Sequence, residues 1–237
     1  CGGTVELVLE PVSARSRLDE LLKACLARRS TERVLNLTTG EVTLNEGSRD
    51  GLPRLDEQHL TTHLGPQARL IVIGAGDLSR FLCQMALGLG FEVIVCDPRE
   101  ESRASWQLDG VVLSHEMPDD LILRLKPDAR TAVVAVTHDP KLDDLALMEA
   151  LKTPAFYVGA LGSLQNNAKR RQRLLEFDVS EAEAAQLHGP VGLNLGALTP
   201  PEIAMSIVAE MTAIRRGMDL SGPLSNWSGS KTVCLNC

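Results

Sequence analysis

The chain has 237 residues, enough for one large domain or two small ones. Hydrophobic residues make up 44 % and aromatic residues only 3 %, so the core must be built from Leu, Val, Ala and Ile. A net charge of −7 argues against nucleic-acid binding, which needs a clustered Lys/Arg surplus, and against a general attraction to anionic membranes. No apolar run approaches the roughly 20 residues of a spanning helix. No leader pattern is visible, but the chain opens at Cys1 rather than Met, so that absence weighs little.

"CGGTVELVLEP" reads as a turn and then a strand, with Val5, Leu7 and Leu9 alternating and Pro11 as the stop. In "SRLDELLKACLARRS", Leu18, Leu21, Leu22, Cys25 and Leu26 fall on one face of a helix. "RVLNLTTGEVTL" gives a hairpin around Thr39-Gly40. Residues 1–45 therefore form a small α+β domain, incomplete by size. Residues 46–67 lack periodicity, carry several Gly and Pro, and read as a linker. His59 and His63 in it have a helical metal-binding spacing but no third ligand, so surface histidines are the plainer reading.

From residue 68 to 219 the pattern alternates apolar strands with amphipathic helices. "RLIVIG", "FEVIVCD", "GVVL", "TAVVAVTHD" and "AFYVGALG" are the strands, several of them continuous Val and Ile. That order predicts a parallel sheet covered on both faces, a doubly wound α/β domain of Rossmann type. Ser180 with Glu183, and Thr199 with Pro200, Pro201 and Glu202, cap two closing helices. The second helix, to Arg216, reads as structural packing. Residues 220–237 read as a flexible tail.

Six cysteines do not make a disulfide framework in a chain of this size. Cys25, Cys83 and Cys96 read as small core residues. Cys234 and Cys237 form one C-x-x-C, half of a tetrahedral zinc site, in what reads as a frayed tail; no metal site is expected.

The segment "IVIGAGDLSR" carries the clearest chemistry. Gly74, Gly76 and Ser79 occupy the positions of G-x-G-x-x-G between a strand and a helix, with Asp97 ending the next strand where a ribose-binding acid is expected. A nucleotide-like ligand and a bare structural turn both remain open. Asp77 opposes an anion there unless it caps the helix or meets a cation, and Arg80 lies one turn on. Thr137, His138 and Asp139 end the fourth strand, as helix cap or as crevice lining. Gly162 and Ser163 form a second turn before a helix bearing Lys169, Arg170, Arg171 and Arg173, either a solvated basic face or a complement to an anion. No nucleophile elbow, Walker lysine or zinc-protease motif is present, and no catalytic residue is assigned.

Together "CGGTVELVLEP", "VIGAGDLSRFL", "VTHD", "FYVGALGS", "LHGPVGLNLGALTPPEIAMSIVAE" and "AIRRG" resemble the XdhC/CoxI family, maturation factors of molybdenum hydroxylases. The resemblance implies a cytoplasmic chaperone rather than a turnover enzyme. Its cargo is the molybdenum cofactor, as molybdopterin or its cytosine dinucleotide form. Its partners are a cysteine desulfurase, which sulfurates the cofactor, and the apoenzyme of a xanthine dehydrogenase or aldehyde oxidoreductase; a homodimer is also open. Gly74, Gly76, Gly162 and Ser163 would take the phosphate, with Asp77, Asp97, His138 and Asp139 along the crevice. Cys1, matching the family's C-G-G, is either a thiol near the cofactor or a packed turn residue. The family usually has His where this chain has Asp77. The rival expectations are an NAD(P)-dependent oxidoreductase using the same turn, and a docking protein that has lost its ligand.

Overall fold

The computed structural model describes residues 7–47, 52–104, 106–137, 139–218 and 220. They divide into two compact units at the Gln67–Ala68 bond. In the first, α1 (Leu18–Leu26) precedes β1 (Thr31–Asn36), β2 (Val42–Glu46), β3 (Arg54–Leu55) and β4 (His59–Leu64). The strands form an antiparallel sheet of order β2-β1-β4-β3. The expected hairpin joins β1 to β2, with Asn36 Oδ1 accepting from the N–H groups of Thr38 and Thr39, each at 2.9 Å.

Three expectations change in this unit. The strand expected around Leu7 and Leu9 is absent from Leu7 onward, while Val5 lies outside the described residues. Glu10 instead meets Arg33, a cation buried on β1, with Nη2 donating to its two oxygens at 2.6 and 2.7 Å. The stretch read as a linker contains β3 and β4, and β4 pairs along the whole of β1. Its inward residue is Thr61 rather than an aliphatic one, which hides the strand from a hydropathy pattern. His59 and His63 therefore share a strand face; His59 Nδ1 lies 3.6 Å from Asp56 and His63 Nε2 3.9 Å from Glu32. The leucine face of α1 is largely open, with Leu18, Leu22 and Leu26 at 44, 58 and 77 % exposure, and Cys25 only half-buried.

The second unit is an α/β doubly wound domain. Its strands are β5 (Arg69–Ile73), β6 (Glu92–Cys96), β7 (Val111–Ser114), β8 (Thr131–Ala135), β9 (Tyr157–Ala160) and β10 (Leu187–His188). Its helices are α2 (Asp77–Gly88), α3 (Glu100–Ala104), α4 (Pro118–Leu125), α5 (Pro140–Ala150), α6 (Leu164–Glu176), α7 (Glu181–Ala185) and α8 (Pro200–Arg215). The sheet is parallel, of order β10-β9-β8-β5-β6-β7. Relabelled by appearance, that is 6-5-4-1-2-3, the Rossmann order with its switch point between β5 and β8.

Alternation along the strands builds two cores. Leu70 and Val72 of β5, with Val93 and Val95 of β6, pack with Leu82, Cys83 and Ala86 of α2 and Ala204, Ile207 and Met211 of α8. Ile71 and Ile73 face the other way, with Leu121 and Ile122 of α4, Ala146 and Leu147 of α5 and Leu174 of α6. A central strand buried on both faces cannot alternate apolar with polar, which is why β5 reads as a continuous apolar run. Cys83 and Cys96 are buried as expected, and burial pushes both thiols up to about 12, so neither is a ready thiolate.

α8 does more than fill space. Its Glu210 accepts from the Tyr157 hydroxyl, from His188 Nδ1 at 3.2 Å and from Gly192 N at 2.7 Å. The Tyr157 and His188 rings stack with centroids 4.6 Å apart. Gly159 is glycine for that reason, since a Cβ there would lie 2.8 Å from the Tyr157 ring and 2.6 Å from Val191. One carboxylate thus fastens β9, β10 and the following loop to α8. Burial would raise the Glu210 carboxyl, but its three donors hold it below the usual range, while burial and the same carboxylate push the Tyr157 hydroxyl well above its usual value. Replacing Glu210 by Ala strands a buried hydroxyl and a backbone N–H, so a destabilisation of about 2–4 kcal/mol is expected by urea unfolding. Tyr157→Phe, which removes a single donor, should cost about 1–2 kcal/mol.

Candidate functional site

The loops after β5, β6, β8 and β9 all leave the carboxyl edge of the parallel sheet, where ligands of such sheets bind. Gly74 ends β5 with φ +109°, a conformation that favours glycine, and its N–H donates to the Cys96 carbonyl at 2.8 Å. A Cβ on Gly74 would lie 2.8 Å from Thr137 Cγ2, so the loops on either side of the switch point touch here. Ser79 completes the turn by donating to the Gly74 carbonyl at 2.6 Å.

Gly76 differs from Gly74. It is exposed, its φ of −117° suits any residue, and a Cβ would meet nothing within 4 Å. Neither backbone strain nor packing among the described residues requires glycine at this position. Its lack of a side chain keeps space open over the start of α2, where the N–H groups of a first turn have no intrahelical acceptor. Asp77, exposed at the first position of α2, suits the helix dipole but places a negative charge beside that space.

Asp97 is fully buried at the end of β6. Its Oδ2 accepts from Ala75 N at 2.9 Å and Arg99 Nη2 at 2.8 Å. Its Oδ1 accepts from Arg99 N at 3.0 Å and Arg99 Nε at 2.9 Å. Burial alone would raise this carboxyl; Arg99 and the two backbone donors hold it below the usual range instead. Sequence reasoning singled out Asp97 and missed Arg99, although D-P-R is visible directly after the second strand.

Beyond β8, Asp139 caps α5 by accepting from Lys141 N at 2.9 Å. Thr137 Oγ1 accepts from Asp139 N at 3.0 Å and donates to Asp143 Oδ1 at 2.7 Å. Asp143 also receives Arg170 Nη2 at 2.9 Å, and Arg170 Nε reaches Asp144 at 3.0 Å. Arg170 is buried, and Arg173 joins Asp144 at 2.8 Å. Arg171 donates to the carbonyls of Leu187 and Gly189. These three cations of α6 therefore hold elements together, which neither expectation for them foresaw. Ser163 caps α6 through Asn166 N at 3.1 Å, following Gly162 at φ +140°. Cys1 and His138 lie outside the described residues. Among the described residues no cluster of three or more His, Cys, Asp or Glu could hold a metal, and no helix is long and apolar enough to cross a membrane.

Burial pushes the Asp143 carboxyl from its ordinary 3.8 up to about 6, against the opposing pull of Thr137 and Arg170. A carboxyl raised on folding contributes most stability below its unfolded value and loses it as pH climbs to the folded one. The stability of the wild type relative to Asp143→Asn should fall by on the order of 2 kcal/mol between about pH 4 and pH 6.5 and level off above. Urea midpoints at a series of pH values measure it.

The comparisons with known proteins point one way. A family model described as the XdhC Rossmann domain matches residues 70–211. A probable xanthine dehydrogenase subunit from Bacillus subtilis is 31 % identical over 170 residues, 70 % of this chain and 49 % of that protein. The molybdenum cofactor insertion chaperone PaoD of Escherichia coli is 35 % identical over 88 residues, 37 % of this chain and 28 % of that protein. The chain thus spans less than half the length of these curated relatives. The crystal structure of a xanthine dehydrogenase from Bacillus halodurans aligns over 88 % of this chain and 67 % of its own, with TM-score 0.65 and 26 % identity. With its glycine turn, its switch point and most of its closing helix inside the matched span, this chain belongs to the XdhC family.

Proposed function

We propose that this chain is a carrier of the molybdenum cofactor: it holds the pterin through its phosphate during sulfuration and passes it to a molybdenum hydroxylase apoenzyme. The observation that carries this reading is Gly76, a glycine that the fold does not itself require, at the mouth of the switch point. A phosphate needs that openness to reach the N–H groups at the start of α2. Membership of the XdhC family, and the likeness to PaoD, a molybdenum cofactor insertion chaperone, support this kind of cargo. A cysteine desulfurase and a hydroxylase of xanthine dehydrogenase or aldehyde oxidoreductase type are the proposed partners.

The residues present suit a phosphate with one reservation of charge. Gly74 shapes the turn and Gly76 leaves it open. Gly162 and Ser163 stand at the start of α6, two strands along the edge from β5, although the Ser163 hydroxyl is already committed to its cap. Asp139 is likewise engaged as a cap, so its place in the site is the loop geometry it sets. Asp77 opposes the phosphate by its charge. When bound, the cofactor would supply the molybdenum and its dithiolene sulfurs; the chain supplies the cradle.

Two measurements follow. Protein purified anaerobically from a cofactor-producing host should carry pterin detectable by mass spectrometry, and Gly76→Asp, which the backbone tolerates, should lose at least about tenfold of it without change in melting temperature. Full retention of pterin by Gly76→Asp would place the cofactor elsewhere. Asp77→Asn should raise retention several-fold, by about 0.5–1 kcal/mol of removed repulsion at a helix start.

A further inference from the structure

His188 is the last residue of β10, at the carboxyl edge of the sheet. It lies in register with Gly159 of β9, which faces Val134 of β8 and so Val72 of β5. Its backbone is pinned on both sides, because Arg171 of α6 donates to the carbonyls of Leu187 at 2.7 Å and Gly189 at 3.2 Å. Its ring is pinned as well. Tyr157 stacks on it with 18° between the planes, and Glu210 of α8 accepts from Nδ1 at 3.2 Å.

The carboxylate decides the tautomer. Glu210 also accepts from the Tyr157 hydroxyl and from Gly192 N, and against the effect of burial its donors hold it ionised. Nδ1 must then carry a proton, and in the neutral ring the lone pair sits on Nε2. Among the described residues Nε2 has no hydrogen-bond partner, and the side chain is 32 % exposed against 12 % for Glu210.

Fastening alone does not call for this set. A buried carboxylate among polar partners is often matched in stability by apolar side chains of similar volume. Ala204, Ile207 and Met211 already join α8 to the aliphatic core of the sheet. What the carboxylate and imidazole add is an oriented acceptor at the outer end of the edge. A carboxylate behind an imidazole fixes the ring and raises the basicity of its far nitrogen.

Building on the carrier reading above, we propose that His188 is a ligand-contacting residue: its Nε2 accepts a hydrogen bond from an N–H of the cargo's heteroaromatic ring, at the end of the ligand away from the phosphate. Glu210 and Tyr157 are its positioning residues. β10 stands three strand spacings from β5, roughly 14 Å, so phosphate and ring are held at separate points of one edge. A pterin suits the contact, because its lactam and amino groups set N–H donors along one side of the ring. A ring without such donors would leave the acceptor unpaired.

Two substitutions separate fastening from contact. An Asn amide nitrogen falls where Nδ1 lies and keeps the bond to Glu210; a Gln amide falls where Nε2 lies and restores an acceptor there. The readout is pterin retained after anaerobic purification from a cofactor-producing host, by mass spectrometry, beside the melting temperature. His188→Asn should fold and lose at least about fivefold of the pterin. His188→Gln should recover part of that loss despite a lower melting temperature. Nitrogen NMR of labelled histidines in the wild type, at about pH 8, should show His188 as the Nδ1–H tautomer. Where His188→Asn does not fold, that signal decides: it should shift between cargo-loaded protein and protein from a host that makes no cofactor, and an unmoved signal overturns the proposal. Undiminished pterin in His188→Asn, no recovery in a folded His188→Gln, or an Nε2–H tautomer overturns it and leaves the carrier reading standing. A wild type that retains no pterin overturns the carrier reading, and this proposal with it.

Discussion

A buried charge governs the carboxyl edge of the sheet. Asp97 has no exposed surface, so its ionised form exists only because four donors surround it. Those donors come from two places: the glycine turn after β5 and the loop after β6. The carboxylate therefore braces the turn through Ala75 N and holds the Arg99 guanidinium on the same two oxygens. Gly74 makes the complementary contact on the other flank, against Thr137. Between them, the two strands at the switch point and their neighbour are held at one geometry without any ligand.

The same logic recurs further along the edge. Asp143 and Arg170 are both buried, and their pairing is completed by Thr137, Asp144 and the Asn167 side chain. Buried ion pairs seldom add much net stability, but breaking one is costly. Their effect here is to fix the loop after β8 against α6. The positioned loops of this edge thus rest on polar networks beneath them, while the aliphatic cores hold the layers together.

Much of this architecture was legible in the residues. Continuous Val and Ile in β5, β6 and β8, with glycines at the strand ends, announce a parallel sheet, and the capping residues of α7 and α8 stand where they act. Other parts were not. β4 is built on threonine and histidine, so its burial has no hydropathic signature. β10 has two residues, too few to show a period. Arg170 stands beside the exposed Lys169 in sequence, and only the fold shows that carboxylates on α5 face it. Asp97 could be found by spacing, whereas its saturation by Arg99 depends on distances. Glu210 lies on an otherwise apolar helix face, where a lone acid reads as surface until Tyr157 and His188 are placed beside it.

β10 has a further consequence for association. It ends the sheet after two residues, and Pro190, which has no N–H to offer, follows after a single glycine. A short edge terminated by proline gives an incoming strand almost no ladder to extend. Chain-to-chain growth of the sheet is blunted on this side.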